Sequence, residues 1–578
     1  MTSGTEPPLL PEVSSFRERA GSFALLLGAG ILVYMFSILT AATVLNALGQ
    51  PISRASFVVG SLGAAAFLWW GAAKYFPLAR LKVFLCVALG TAALFVGLVC
   101  LSGVFYDVSY DGQLYHQEGI VQLARGWNPL EREITSSDYP VPDSRVRDLL
   151  NHYARGPEIA AASVYKVAPH IERCKVFNFE LIVASFCVTL CVLLRLEQVR
   201  PTVAVLLSVI AAANPVSVYQ SFSFYVDGQL SSVLVCLFGL GVMLFRDRSR
   251  VILLAWASAI VLAVNVKFTG IPYAGIATGG FLIGLLIFKK WRTLLAAGAV
   301  MALAFVLGVG VLGYSPYVTN TIEHADPFYP LDDPEVIKTI YPYNTPQNFE
   351  GLNRLQTLFI SVFSKTEDAY ADGATKTSHW KWPFDVSGKE YKAVNCSGTV
   401  RVAGWGPLFG GAMILAAVIL LMALPWTPGK TGLALAVMGI VFLSAIATWG
   451  VWWARYAPQL LILPAVAVVL AQYTGRRIAR LAGWVLMAVL AINAGFVSAA
   501  YLSSEVEINR LVRNQLCDLS KGSRPIAVYF GLFRSNRIRL EEMGIRYREV
   551  KEKKDLPAGA PVQPLFYSTA LFSPDNSP

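Results

Sequence analysis

The sequence predicts an all-α polytopic membrane protein of about thirteen transmembrane helices, with two large extracytoplasmic loops and a small α/β C-terminal tail. Three observations carry that expectation. Of 578 residues, 55% are hydrophobic and only 15% charged, where soluble domains carry about 25% charge. The apolar residues fall into runs of about 17 to 25, the length that crosses a bilayer as a helix. Lys and Arg gather in the short loops of one side, as cytoplasmic loops do. The formal charge of +11, from 48 basic and 37 acidic residues, is therefore read as a topology signal, and nucleic acid is not an expected partner.

Residues 1–20 form a cytoplasmic N-terminal tail carrying Arg17 and Arg19. The run 23–48 is too long for a signal-peptide core and has no small-residue cleavage site after it, so it is retained as the first helix. Spans 55–73 and 82–104 follow, joined by a loop with Lys74, Arg80 and Lys82 that belongs in the cytoplasm. The chain emerges into a polar segment, 105–175. It returns through 176–194, goes out through 202–220, and comes back through 229–245 to Arg246, Arg248 and Arg250.

The stretch 251–288 is too long for one crossing, and Asn265 to Pro272 interrupts it. Split in two, it leaves Lys289, Lys290 and Arg292 inside, as the charge bias requires. Span 293–313 leads to a second polar segment, 314–406, and spans 408–424, 432–449, 457–472 and 481–501 complete the membrane module, 21–501. The tail 502–578 is charged, with strand-like runs at 525–530 and 545–550 around a helical pattern at 537–543. It reads equally as a small cap or as a packing appendage to the loops.

Five of eight cysteines lie in apolar spans, where Cys behaves as a small hydrophobe. Cys396 and Cys517 fall on the extracytoplasmic side and are candidates for a disulfide between loop and tail.

The informative charges stand on the face opposite the basic loops. After the third span comes Ser-Tyr-Asp-Gly-Gln-Leu-Tyr-His-Gln-Glu (109–118), and before the sixth Ser-Phe-Tyr-Val-Asp-Gly-Gln-Leu (223–230). Both contain Asp-Gly-Gln-Leu at the outer mouth of a helix. Asp111 and Asp227 can serve one site, as general base and partner or ligand; each can also be an Asp-Gly turn capping the next helix. Lys267 in the broken helix, Arg455 in Trp-Gly-Val-Trp-Trp-Ala-Arg-Tyr (449–456), and Arg155 in Asn-His-Tyr-Ala-Arg-Gly-Pro (151–157) are cations suited to phosphate. A basic residue at membrane depth is costly unless it is paired or hydrated; the competing account is snorkelling to lipid headgroups. Tyr110, Gln113, His116 and His152 are further candidates for substrate contact. Trp449, Trp452 and Trp453 fit an aromatic belt better than a sugar platform. No His or Cys spacing specifies a metal site, so a divalent cation held by Asp111 and Asp227 stays open.

At these residues the sequence resembles the GT-C superfamily of integral-membrane glycosyltransferases, nearest to the bacterial family-39 and RgtA-like enzymes that use polyprenyl-phosphate sugars. Tyr110-Asp111-Gly112 stands where that superfamily has an acidic residue in its first large loop. The His152 to Pro157 segment is similar to the Lys-Pro-Pro element later in that loop, with Arg-Gly-Pro in its place. Lys267-Phe-Thr-Gly270 resembles the superfamily's helix break, and residues 313–317 with 326–330 resemble the opening of the second loop.

The resemblance implies a bacterial inner-membrane enzyme of cell-envelope polysaccharide biosynthesis, active on the extracytoplasmic face. Asp111 would take the acceptor's proton, and Lys267, Arg455 or Arg155 would hold the polyprenyl phosphate, with inversion at the sugar. The acceptor would be a glycan, lipid or protein. Two competitors stand beside it. A polysaccharide polymerase or ligase shares the large outer loop and lipid-linked donor. A secondary transporter shares the broken helix, but lacks a reason for two large polar segments on one side.

Overall fold

The computed structural model describes residues 11–331, 344–368, 377–522, 524–558 and 561–574. Helices α1 (Pro11–Ala47), α2 (Arg54–Tyr75) and α3 (Arg80–Val104) open the chain, and α4 (Gln117–Ala124), α5 (Ser144–His152) and α6 (Gly156–Tyr165) fill the first polar segment. Then come α7 (Val176–Leu194), α8 (Pro201–Ala212), α9 (Pro215–Tyr219), α10 (Asp227–Met243), α11 (Arg250–Val266), α12 (Gly270–Ile287) and α13 (Trp291–Phe305). The second polar segment holds α14 (Thr319–His324), α15 (Arg354–Val362) and α16 (Gly388–Ala393). Helices α17 (Phe409–Ala423), α18 (Pro428–Ile446), α19 (Ile462–Tyr473) and α20 (Arg477–Lys521) end the bundle, and α21 (Arg537–Glu542) lies in the tail.

Among the described residues, eight helices are long and apolar enough to cross a membrane, and five shorter apolar helices lie between them. The protein is an all-α multi-pass membrane protein with a small sheet in its tail. Each apolar run expected to span coincides with one of these helices, with one internal difference. The run 202–220 is two pieces, because Asn214 precedes Pro215 and its side chain accepts the Val216 N–H, starting α9 anew.

The break in 251–288 falls where its polar residues stand. Helix α11 stops at Val266, Lys267 is extended (φ −161°, ψ 149°), and α12 starts at Gly270. A Cβ at Gly270 would lie 1.8 Å from the Ala263 carbonyl oxygen, so only glycine lets the two half-helices meet this closely.

The basic turns share one end of the bundle. There Arg17 donates to the carbonyls of Leu196 (2.9 Å) and Val199 (2.7 Å), Arg195 donates to Ser22 (2.9 Å), and Tyr75 donates to Asp247 (2.8 Å). The two polar segments and the tail occupy the other end.

In the tail, strands β1 (Ile526–Tyr529), β2 (Tyr547–Glu549), β3 (Gln563–Pro564) and β4 (Leu571–Pro574) form one sheet in the order β2-β1-β4-β3. The crossover from β1 to its parallel neighbour β2 runs through α21. The sheet's apolar face packs on Ile508, Val512 and Leu516 of α20, which continues from the bundle without a break. Arg537 and Arg539 then bind buried carboxylates of the first segment: Arg537 Nη2 to Glu118 Oε1 at 2.9 Å, and Arg539 Nε to Glu172 Oε1 at 2.8 Å.

The candidate pair Cys396 and Cys517 is not joined; both thiols are free. Cys396 is buried in the apolar cluster on α20, whereas Cys517, one position past the inward-facing Leu516, points to solvent.

Candidate active site

Four charged side chains from distant parts of the sequence meet at the end of the bundle that carries the polar segments. Asp227 is the first residue of α10, Lys267 occupies the break between α11 and α12, Arg455 lies in a short turn after α18, and Asp111 follows α3. Lys267 Nζ donates to Asp227 Oδ1. Arg455 lies between the carboxylates, its Nε 2.8 Å from Asp227 Oδ2 and its Nη2 3.1 Å from Asp111 Oδ2.

The two acids differ in access. Asp227 has no exposed surface, and its Oδ2 also accepts from Gln220 Nε2 at 3.1 Å. Asp111 keeps 22% of its side chain open. A carboxylate with both oxygens engaged by buried donors is a poor proton acceptor, whereas one held at a single oxygen and reachable from outside can exchange a proton. Aromatic rings frame the cations. The Lys267 ammonium is 4.0 Å from the Tyr456 ring centroid, and the Arg455 guanidinium is 4.4 Å from that of Tyr225. The Arg455 guanidinium occupies the position between Asp111 and Asp227 that a shared divalent cation would take, so this pair does not fit a metal site as it stands.

In neither Asp-Gly-Gln-Leu copy does the aspartate side chain cap the helix. Asp227 is inside its helix, and the N-cap is Val226. Asp111 has helical backbone angles and opens a single π-type turn, Gly112–His116. A Cβ on Gly112 would overlap Asp107 Oδ2 at 1.8 Å, so glycine lets the turn press against the Asp107 carboxylate.

The remaining candidates lie apart from this cluster or face away from it. Gln113 binds the tail: its Oε1 accepts from Asn536 Nδ2 at 2.8 Å and its carbonyl from Ser535. Tyr110 is half exposed and packs edge-on against Phe533, 5.3 Å between centroids. Arg155 and His116 belong to a second buried group. His116 pairs with Glu158, and Arg155 donates to the Asn151 carbonyl and lies 5.1 Å from the Trp127 ring centroid. Burial pushes the Arg155 guanidinium down to about 10.

His152 turns toward the second segment. Its Nδ1 is 3.0 Å from Asn320 Oδ1, and its Nε2 is 3.3 Å from Glu133 Oε1. With Glu323 and His324, both exposed, it forms a group whose ligand atoms lie within 4.8 Å of one another, close enough to hold a metal ion.

Gln220 and Tyr456 escaped the sequence reading. Gln220 ties Asp227 to the Gly228 N–H (2.8 Å) and to the Gly398 carbonyl (3.0 Å) of the second polar segment. Its position seven residues before an Asp that opens a helix was the available signal. Tyr456 directly follows Arg455, and nothing in the local sequence assigns its ring a role.

No family model matches the chain, and no curated protein matches it. Among solved structures the chain is similar to the crystal structure of ArnT from Cupriavidus metallidurans in the apo state, at 11% sequence identity and a TM-score of 0.42, over 81% of this chain and 86% of that one.

Proposed function

We propose that the protein is a membrane glycosyltransferase of the GT-C type, moving a sugar from a polyprenyl-phosphate-linked donor to an extracytoplasmic acceptor. The observation that carries this reading is the juxtaposition of the accessible Asp111 with Arg455 and Lys267 at a helix mouth. The acceptor oxygen attacks the anomeric carbon as its proton passes to Asp111, and the bond from that carbon to the phosphate oxygen breaks. The polyprenyl phosphate leaves with the bonding pair. Its charge is met by the donors of Arg455 and Lys267 that Asp227 does not use. One displacement inverts the anomeric centre.

Asp227 acts through the two cations and holds them in place. Arg155, His116 and His152 are assigned to the walls of the first segment, with contact to the sugar or acceptor as their proposed role.

Surface glycans of cells expressing Asp111→Asn or Lys267→Ala in place of the native chain test the proposal. Both variants should insert normally and lose one glycan addition. Full glycosylation with both would overturn it.

A further inference from the structure

The second polar segment presents an inverted surface. From 380 to 382 the chain is extended and its side chains alternate. Lys381 points inward, where its Nζ pairs with the buried Glu390 and donates to the Asp385 carbonyl at 3.0 Å. Trp380 and Trp382 point outward, the latter 73% exposed, and Phe384 is exposed beside them. Burying a lysine while exposing two tryptophans reverses the usual preference in water.

Helix α15 adds to the same face. The Lys365 N–H donates to the His379 carbonyl (2.8 Å) and the Lys381 N–H to the Phe363 carbonyl (3.0 Å), so the end of α15 runs beside the tryptophan strand. Leu355 and Phe359, one turn apart, are exposed, the latter at 65%, while Thr357, Leu358 and Ser361 face the protein.

The two ends of α15 are fastened to two different helices of the bundle. At its start, Arg354 donates to the carbonyls of Ile446 (3.1 Å) and Ala447 (3.3 Å), where α18 ends. At its finish, the Val362 carbonyl and the Phe363 ring lie against Gly410 in the first turn of α17, and the Phe384 ring lies on Gly411. α17 and α18 are apolar bundle helices, and these ends share the site's end of the bundle. A helix pinned to both lies across the bundle at the level where its helices leave the hydrocarbon.

We infer that α15 and residues 380–384 form an interfacial foot, resting in the headgroup and upper acyl region of the leaflet on the site's side. Position and chemistry agree: an in-plane helix with exposed Leu355 and Phe359, and tryptophans at the depth where their rings are favoured. The foot's inner face supports the catalytic turn. Ser361 Oγ donates to the Trp452 carbonyl at 2.7 Å, three residues before Arg455. The bilayer surface and the Arg455 turn therefore share one rigid element.

Nitroxide accessibility tests this without reference to the reaction. Labels are placed at Phe359→Cys and Trp382→Cys, with Lys389→Cys as a control on an exposed position. The exposed Cys86, Cys100 and Cys517 are replaced by serine. The full chain is reconstituted in vesicles of equal parts phosphatidylethanolamine and phosphatidylglycerol. Labels at 359 and 382 should collide with oxygen and be shielded from a water-soluble nickel chelate, at a depth of about 5–10 Å below the headgroups, while the label at 389 shows the reverse.

Nickel access at 359 and 382 equal to that at 389 would overturn the inference. So would shielding from both reagents, which marks a protein partner or a second copy on this face. If Trp382→Cys fails to fold, the label at 359 decides by the same criteria.

Discussion

Arg455 Nε lies 2.8 Å from Asp227 Oδ2, and that carboxylate has no contact with solvent. Removing the acid leaves Arg455 and Lys267 buried without their counter-charge, the situation that costs most inside a protein. Asp227→Ala should lower stability by about 3–5 kcal/mol, read as a large fall in melting temperature in detergent. Asp227→Asn keeps the shape and should still lose most of that stability.

Asp111→Asn should behave differently. The side chain is partly open and meets Arg455 at one oxygen, so the fold should tolerate the amide with a melting temperature within a few degrees of native. Transfer should drop by about 10²–10⁴-fold, the usual contribution of a general base. Intact transfer in a well-folded variant would remove Asp111 from the mechanism.

Arg455→Lys separates charge from geometry. One guanidinium spans two carboxylates through Nε and Nη2, and a lysine presents a single point. The variant should fold, because Asp227 keeps Lys267, yet lose Asp111 as a partner and most of the activity. Activity equal to that of the native protein would show that charge alone suffices.

The tail supplies a pH dependence. Glu542 accepts from Tyr165 Oη (3.1 Å) and the Ile171 N–H (2.9 Å), and burial holds its carboxyl up at about 7. An acid whose folded value is raised from 4.5 contributes stability that is complete below the unfolded value and lost as pH rises through about 7. The melting temperature should therefore fall between about pH 4.5 and 7, and Glu542→Gln should flatten that slope. An unchanged slope in the variant would assign it to other groups; the neighbouring His170, whose value burial lowers, works in the opposite sense.

Gly112→Ala places a methyl where Asp107 Oδ2 already stands. Overpacking of this kind costs about 1–3 kcal/mol, and here it also displaces the turn that carries Asp111. Transfer should fall further than the melting temperature predicts. Proportionate losses of the two would make the effect one of stability alone.

The helices were legible because an apolar run of membrane length has few alternatives: its backbone must satisfy itself, and a helix does so. The break at Lys267 was legible for the same reason, since an ammonium and an Asn inside such a run demand partners. The repeated Asp-Gly-Gln-Leu pointed to two acids that meet one arginine, Arg455, and of its two readings the capping turn fails, since neither side chain caps a helix. The close approach of Gly112 to Asp107 depends on packing that no local pattern announces. Gln113 meets Asn536, 423 positions away. Partners at that separation, like the Gln220 contact with Gly398, carry no short-range signature.

Helix α20 is 45 residues long and passes from the bundle into the tail without a cap between. It behaves as a threaded shaft with a fixed phase. Adding one residue near position 502 would turn everything beyond it by about 100° and advance it by about 1.5 Å. Arg537 and Arg539 would then swing away from Glu118 and Glu172 together. The tail therefore tolerates changes at its surface far better than changes in the length of the rod that delivers it.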